Sequence, residues 1–195
     1  MLSYEESLKI LKRTKALLEG HFILSSGLHS DQYVQCAKLL SVPKEASLIC
    51  ASLVEKIKKS FKDIDLVLSP ALGGIVVGYE IGRQLNVKTI FAERVDKKLT
   101  LRRGFNIQKN SRVLIIEDVI TTGQSALDCA EIVNKCKASL VGYACIIDRS
   151  NSKILIKDKI ISQIKFNIRT YKSNELPNEL KKIPPLKPGS KIISE

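Results

Sequence analysis

The chain has 195 residues, 44% hydrophobic and 27% charged, with a formal net charge of +12 at neutral pH. That mix suits one soluble globular domain, long enough to bury a full sheet and its covering helices without a covalent staple. The five cysteines (Cys36, Cys50, Cys129, Cys136, Cys145) are odd in number and lack metal-ligand spacing. With only His21 and His29 beside them, they argue against a disulfide framework or a zinc site, and for buried thiols in a reducing, cytoplasmic compartment.

Residues 1–20 alternate charged and apolar groups and hold no apolar block of a secretory leader. Ser3 with Glu6 forms a capping box, and Leu8, Ile10, Leu11, Leu17 and Leu18 give an apolar face to a first helix that Gly20 can end. Residues 21–40 alternate polar and apolar around Ser25-Ser26-Gly27, which predicts extended chain with a turn. Pro43 suits the first turn of a second helix running to about Ser60. Residues 65–69 form a short apolar strand ending at Pro70, followed by a glycine turn and a helix to Leu85. The longest apolar stretch, residues 64–79, is interrupted by Asp65, Ser69, Pro70, Gly73 and Gly74, so it cannot span a bilayer.

Residues 88–95 read as a strand, 96–103 as a polar, basic loop, and 104–107 as extended again. Residues 112–119 are the most strand-like of all. A helix over about 123–137, a strand over 140–147, and a tail mixing a β-branched run (159–168) with a short helix and a Pro-rich end complete the chain. Continuous apolar strands alternating with helices imply an α/β fold whose mostly parallel sheet is buried on both faces.

The charge is uneven. The last 45 residues hold ten Lys/Arg against four Asp/Glu, and residues 93–103 hold five basic groups against two acidic. An anionic partner follows: nucleic acid, a membrane surface, or phosphorylated small molecules. No aromatic ladder accompanies the lysines, which weighs against nucleic acid. Solvated lysines in a Lys- and Ile-rich sequence account for the tail equally well.

Residues 113–126, VLIIEDVITTGQSA, carry the chemistry. A buried strand leads through two carboxylates, Glu117 and Asp118, into a small turn and a helix. Such a turn aims backbone N–H groups and the positive helix end at one point, and Thr121, Thr122 and Ser125 add hydroxyls. The result is a phosphate cradle without the lysine of a P-loop, which disfavours a nucleoside triphosphate. Carboxylates beside an anion site make sense if the ligand also brings ribose hydroxyls, a metal or a developing positive charge. Helix capping by the two acids is the plainer alternative.

The stretch resembles the motif that binds phosphoribosyl pyrophosphate (PRPP) in type I phosphoribosyltransferases. Residues 19–36, with Phe22, Ser26-Gly27, Ser30 and Tyr33, resemble the N-terminal segment of the orotate phosphoribosyltransferases. Residues 91–104 (FAERVDKKLTLRRG) resemble that family's mobile catalytic loop, and 143–150 (YACIIDRS) its orotate-contacting strand end. The ending PLKPGSK at 185–191 is similar to one bacterial branch.

The resemblance implies a single phosphoribosyltransferase domain over 1–195. It would comprise an N-terminal helix and hood segment (1–40), a core (41–150) and a basic C-terminal extension (151–195), the hood and a mobile β-hairpin standing over the sheet. It assigns PRPP to Glu117, Asp118, Val119, Ile120, Thr121, Thr122, Gly123, Gln124 and Ser125, with Arg94 and Lys98. Pyrophosphate falls to the loop Ala71, Leu72, Gly73, Gly74, and orotate to Thr121, Arg149 and Tyr33. It implies that Lys97, Glu117 and Asp118 are the catalytic residues, and that Mg²⁺ is held through the substrate's pyrophosphate and ribose hydroxyls, with no metal ligand from the protein. A homodimer is implied, the loop reaching the partner's site.

The sequence departs from the pattern where family members often have lysines, at Ser25 and Gly73, and a histidine, near Leu99. Arg102 and Arg103 are candidates to replace part of that charge. A transferase for a purine or uracil, and a non-catalytic RNA-binding regulator on the same fold, are the competing readings. A surface ion pair with Asp148 is the competing role for Arg149.

Overall fold

The computed structural model describes residues 1–24, 26–150 and 154–188. Ser25 and the end of the PLKPGSK stretch lie outside the described residues. Helix α1 (Tyr4–Arg13) starts on the expected capping box: Ser3 Oγ accepts from the Glu6 N–H (3.1 Å), and the Glu6 carboxylate accepts from the Ser3 N–H (2.7 Å). The helix does not run on to Gly20. Thr14 caps it, Lys15 turns the chain at φ +57°, and Leu17 and Leu18 open strand β1 (Leu17–Ile23) instead. A leucine pair fits a helix face or a strand equally well, so the local signal could not choose.

Strand β2 (His29–Val34) pairs antiparallel with β1, as the turn at Ser26-Gly27 foretold. Residues 36–40 are not extended: they form the short helix α2 (Cys36–Leu40), ahead of α3 (Pro43–Ser60) with its proline in the first turn. Then come β3 (Leu66–Pro70), α4 (Gly73–Leu85), β4 (Lys88–Val95), β5 (Lys98–Leu101), β6 (Arg112–Ile120), α5 (Gln124–Lys135), β7 (Ser139–Asp148), β8 (Ile160–Lys165), β9 (Thr170–Tyr171) and α6 (Asn178–Lys181). Residues 104–107 form no strand; Arg103 and Gly104, at φ +55° and +71°, turn the chain away from the sheet.

The main sheet has the order β5-β4-β3-β6-β7-β8, parallel throughout except for the β4–β5 hairpin. Alternate residues face opposite layers. Val67, Leu114 and Ile116 pack with α1–α4, while Leu66, Leu68, Val113 and Ile115 pack with α5. Burial on both faces is why these strands read as unbroken apolar runs.

A second, three-stranded sheet of order β1-β2-β9 forms the hood. The C-terminal segment closes both edges of its hairpin. On the β2 side His29 and Ser30 pair with Tyr171 and Thr170. On the β1 side Leu186 donates to the His21 carbonyl and accepts from the Ile23 N–H, both at 2.8 Å. Buried His21 donates from Nδ1 to the Ile183 carbonyl (2.8 Å), so its Nε2 accepts from His29 Nδ1 (2.6 Å).

Candidate active site

From β3 the chain passes to β4 on one side, while β6 pairs with β3 on the other and leads to β7. The carboxyl ends of β3 and β6 therefore flank a topological switch point, where open α/β sheets bind ligands. Two turns meet there: Ala71–Gly73 after β3, and Thr121–Gly123 after β6.

Glu117 and Asp118 lie near the end of β6, and among the described residues neither takes part in an ion pair. Burial pushes Glu117 up to about 8; the neighbouring Asp118 and, less strongly, Asp128 add to this, while Arg94 opposes it. Burial also raises Asp118, against the backbone N–H groups of Val119 and of Asp118 itself. A plain helix cap would leave these acids solvated and low. Here the fold holds two half-buried carboxyls side by side, poised to gain charge when a cationic ligand centre arrives.

The turn that follows has the expected cradle form. Gly123 adopts φ +82°, and a Cβ there would meet Ile156 at 2.7 Å, so both its backbone angle and its crowding demand glycine. Gly123, as N-cap, has no side chain to cap α5, and only a long contact from the Gln124 N–H to Thr122 Oγ1 (3.5 Å) meets this end, which leaves most of its positive terminus open. Thr121, Thr122 and Gln124 are exposed and Ser125 is half-buried. Val119 and Ile120 differ in role from their neighbours. Their side chains pack into the two core clusters, so only their main chain faces a ligand.

Opposite, Gly73 opens α4 and its Cα faces the Asp118 carboxylate. A Cβ at Gly73 would lie 2.7–2.8 Å from all three atoms of that carboxyl group. The lysine that the family pattern often places there has no room while Asp118 holds this position. Leu72, Gly73, Val76 and Asp118 share an apolar cavity of about 390 Å³ with Ala37, Leu40 and Ser41 of α2 and its end. Nothing in the local pattern marks α2 at this place, because its five residues carry neither a side-chain cap nor a full helical period.

Arg149 follows β7, and its N–H donates to the Ile120 carbonyl (2.8 Å), which brings it next to Thr121. It is not the partner of Asp148. That carboxylate instead meets Lys165 (3.3 Å) and accepts from the Ser150 N–H (2.8 Å). Arg149 Nε is buried and has no hydrogen-bond partner among the described residues. Burial pulls the guanidinium below its usual range, and nearby Tyr33 opposes this. Tyr33 stacks at 5.7 Å on Phe22 in the hood, so hood and sheet meet at the residues expected to hold the base.

The basic stretch is better anchored than its composition suggested. Residues 98–101 form β5, and Leu99 is buried with the α5-side core. Asp96 and Lys97, at φ +46° and +67°, make the tight turn. Lys97 and Lys98 line a groove of about 580 Å³ along α5 with Asp128, Glu131 and Lys135, whereas the cavity beside Asp118 has no lysine in its lining. Arg94, by contrast, is close enough to act on Glu117. Arg103 is engaged with Glu93 (2.9 Å) and lies over the Phe91 ring, while Arg102 acts on the same Glu93 carboxylate more weakly. Among the described residues no cluster of three or more His, Cys, Asp or Glu could hold a metal, and no helix is long and apolar enough to cross a membrane.

This arrangement of switch point, acidic pair and Thr/Gly turn has the form of a site for a phosphorylated sugar, and the sequence profile of the phosphoribosyl transferase domain matches residues 39–175. The chain belongs to the phosphoribosyltransferases. An orotate phosphoribosyltransferase of Caldicellulosiruptor saccharolyticus is 46% identical over 192 residues, covering 98% of this chain and 100% of the relative. One from Parvibaculum lavamentivorans is 42% identical over 194 residues, covering 99% and 100%. At that identity and coverage the family narrows to the orotate phosphoribosyltransferases. Solved structures show the same fold: orotate phosphoribosyltransferase from Aeropyrum pernix (TM-score 0.66, 21% identity, 81% of this chain and 92% of that one). Adenine phosphoribosyltransferase from Thermoanaerobacter pseudethanolicus also aligns (TM-score 0.57, 20% identity, 69% and 88%).

Proposed function

We propose that this chain transfers ribose 5-phosphate from PRPP to orotate, giving orotidine 5′-phosphate and pyrophosphate in pyrimidine biosynthesis. The observation that carries this reading is the pairing of the half-buried Glu117–Asp118 couple and the turn after it with a half-buried guanidinium, Arg149, whose Nε has no partner among the described residues. The 5′-phosphate sits on the N–H and hydroxyl groups of 121–125. Glu117 and Asp118 hold the ribose hydroxyls. Orotate, a planar anion, completes the fork of Arg149 beside Thr121 and Tyr33. A purine or uracil offers no carboxylate to that guanidinium.

The ring nitrogen of orotate gives up its proton to solvent and bonds to the anomeric carbon as the bond to pyrophosphate breaks, the leaving group taking the electron pair. The carboxylates oppose the positive charge that develops on the sugar. The 71–74 turn offers backbone N–H groups to pyrophosphate, and Lys97 adds charge when the hairpin moves from the α5 groove towards it. Mg²⁺ would suit the site, where the carboxyl groups of Glu117 and Asp118 would face it. When bound, it would supply charge neutralisation on the leaving group.

A homodimer fits the apolar side chains left exposed on α3 and α4, namely Leu48, Val76 and Tyr79, with Leu72 at the head of α4. A reducing cytoplasm fits the five free thiols. The test is to mix the protein with PRPP, Mg²⁺ and orotate and follow orotate's ultraviolet absorbance, with uracil and hypoxanthine in parallel. Consumption of either of those in preference to orotate would overturn the reading.

A further inference from the structure

One residue outside every motif joins the hairpin to the phosphate turn. Asp128, one helical turn beyond Gln124, accepts from Arg94 Nη2 at Oδ2 (3.3 Å) and from Gln124 Nε2 at Oδ1 (2.7 Å). Arg94 also donates from Nη1 to the carbonyl of Lys97 (2.6 Å). A single carboxylate therefore reaches the turn that carries Lys97, the end of β4 and the start of α5. We propose that Asp128 is a positioning residue of the transferase, holding the Arg94 guanidinium beside Glu117. This rests on the reading of 121–125 as the phosphate site.

The chemistry supports it. A carboxylate one turn into the helix, beside an anion site, repels the anion unless its charge is matched. Arg94 and Gln124 match it here. Arg94 is a long side chain, 45% exposed, and without a second anchor it gains rotamer freedom by swinging into solvent. Asp128 is the anchor on α5 and the Lys97 carbonyl the anchor on the turn.

The groups facing Glu117 are Asp118 on its own strand, Arg94 from β4, Asp128 and Cys129 from α5, and Cys145 from β7. Arg94 acts on Glu117 more strongly than Asp128 does, and with the opposite sign. If Asp128 is only a nearby charge, removing it lowers the ionisation midpoint of Glu117. If it also holds Arg94, removing it lets Arg94 leave and the midpoint rises.

The experiment uses the full chain with PRPP, Mg²⁺ and orotate, comparing Asp128→Asn, Asp128→Glu, Arg94→Gln and the double variant Asp128→Asn/Arg94→Gln. Asp128→Asn is expected to lower kcat/KM for PRPP about fivefold, the scale of a half-exposed ion pair with an added hydrogen bond. The orotate KM should stay unchanged, and the pH midpoint of kcat/KM should move up. Asp128→Glu should recover most of the loss, and the double variant should be no worse than Arg94→Gln alone. Additive losses, a midpoint that moves down, or PRPP kinetics like the parent's would overturn the proposal. If Asp128→Asn melts far below the parent, Arg94→Lys takes over the test: keeping the charge without the two-point grip, it must reproduce the loss, and full activity in it refutes the idea. A parent chain inactive with all three bases sinks the transferase reading and this proposal together. An active parent with an indifferent Asp128 sinks this proposal alone.

Discussion

Replacing Glu117 by Gln should stabilise the chain, and by an amount that grows with pH. Glu117 stands at about 8 against an ordinary 4.5, because burial and Asp118 disfavour its charge. The sign follows from linkage. A carboxyl raised on folding contributes stability that is whole below pH 4.5 and is lost as pH climbs through about 8. At about 1.4 kcal/mol per tenfold in proton affinity, the whole span is worth about 4–5 kcal/mol, and the part between pH 5 and pH 8 about 3 kcal/mol. Glutamine keeps the shape and does not titrate. The two proteins should therefore melt alike near pH 5. By pH 8 the variant should lead by about 6–12 °C, taking roughly 2–4 °C per kcal/mol for a chain of this size. Calorimetry across that range, without PRPP or Mg²⁺, makes the comparison, and the same variant should have lost most of its transferase rate. Melting curves that run parallel from pH 5 to pH 8 would refute the idea that Glu117 is desolvated.

Three further outcomes are expected. Arg149→Ala should cost roughly 2–4 kcal/mol in kcat/KM for orotate while sparing the PRPP KM, since it strands a buried carboxylate; Arg149→Lys should restore only part, and steady-state kinetics with each substrate varied in turn decides. Lys97→Ala should lower kcat and leave PRPP affinity within about threefold, because the side chain lies along α5 until the hairpin closes; single-turnover rates beside PRPP titrations separate the two. Gly73→Ala should cut turnover by more than about tenfold with little change in melting temperature, because the new Cβ displaces the Asp118 carboxylate rather than the core; a fall in stability matching the fall in rate would contradict this.

The core of the fold was legible because its strands are buried on both faces. The apolar runs at 66–70, 88–95, 112–120 and 139–148 have no helical reading of comparable strength, and Pro43 and Ser3 mark their helices by cap chemistry. The margins were not. Leu17 and Leu18 pack equally well from a helix or a strand, and only the left-handed turn at Lys15 decides between them. The site divides in the same way. Residues 117–125 announce themselves by adjacency, since the strand, the acids and the glycine turn are consecutive. Asp128, the α2 flank and the crowding of Gly73 against Asp118 depend on contacts between distant segments, or on a polar residue one helical turn away. The Gln124–Asp128 spacing of four was the one such clue in the sequence. Leu99 was read by composition as part of a free loop. Its burial depends on α5, which follows more than twenty residues later.

The hood hairpin also has a history in time. Its strands leave the ribosome early, but the segments that close its edges, 170–171 on one side and Leu186 on the other, are among the later residues described. At about 5–20 residues per second, the stretch from residue 34 to residue 170 takes on the order of ten seconds to synthesise. For that interval the nascent chain carries an open-edged β-ribbon, a surface prone to pair with other strands. The hood end of the candidate site, where Tyr33 lies near Arg149, therefore comes together after the sheet on which it rests. A newly made chain should hold its phosphate turn before it can hold orotate.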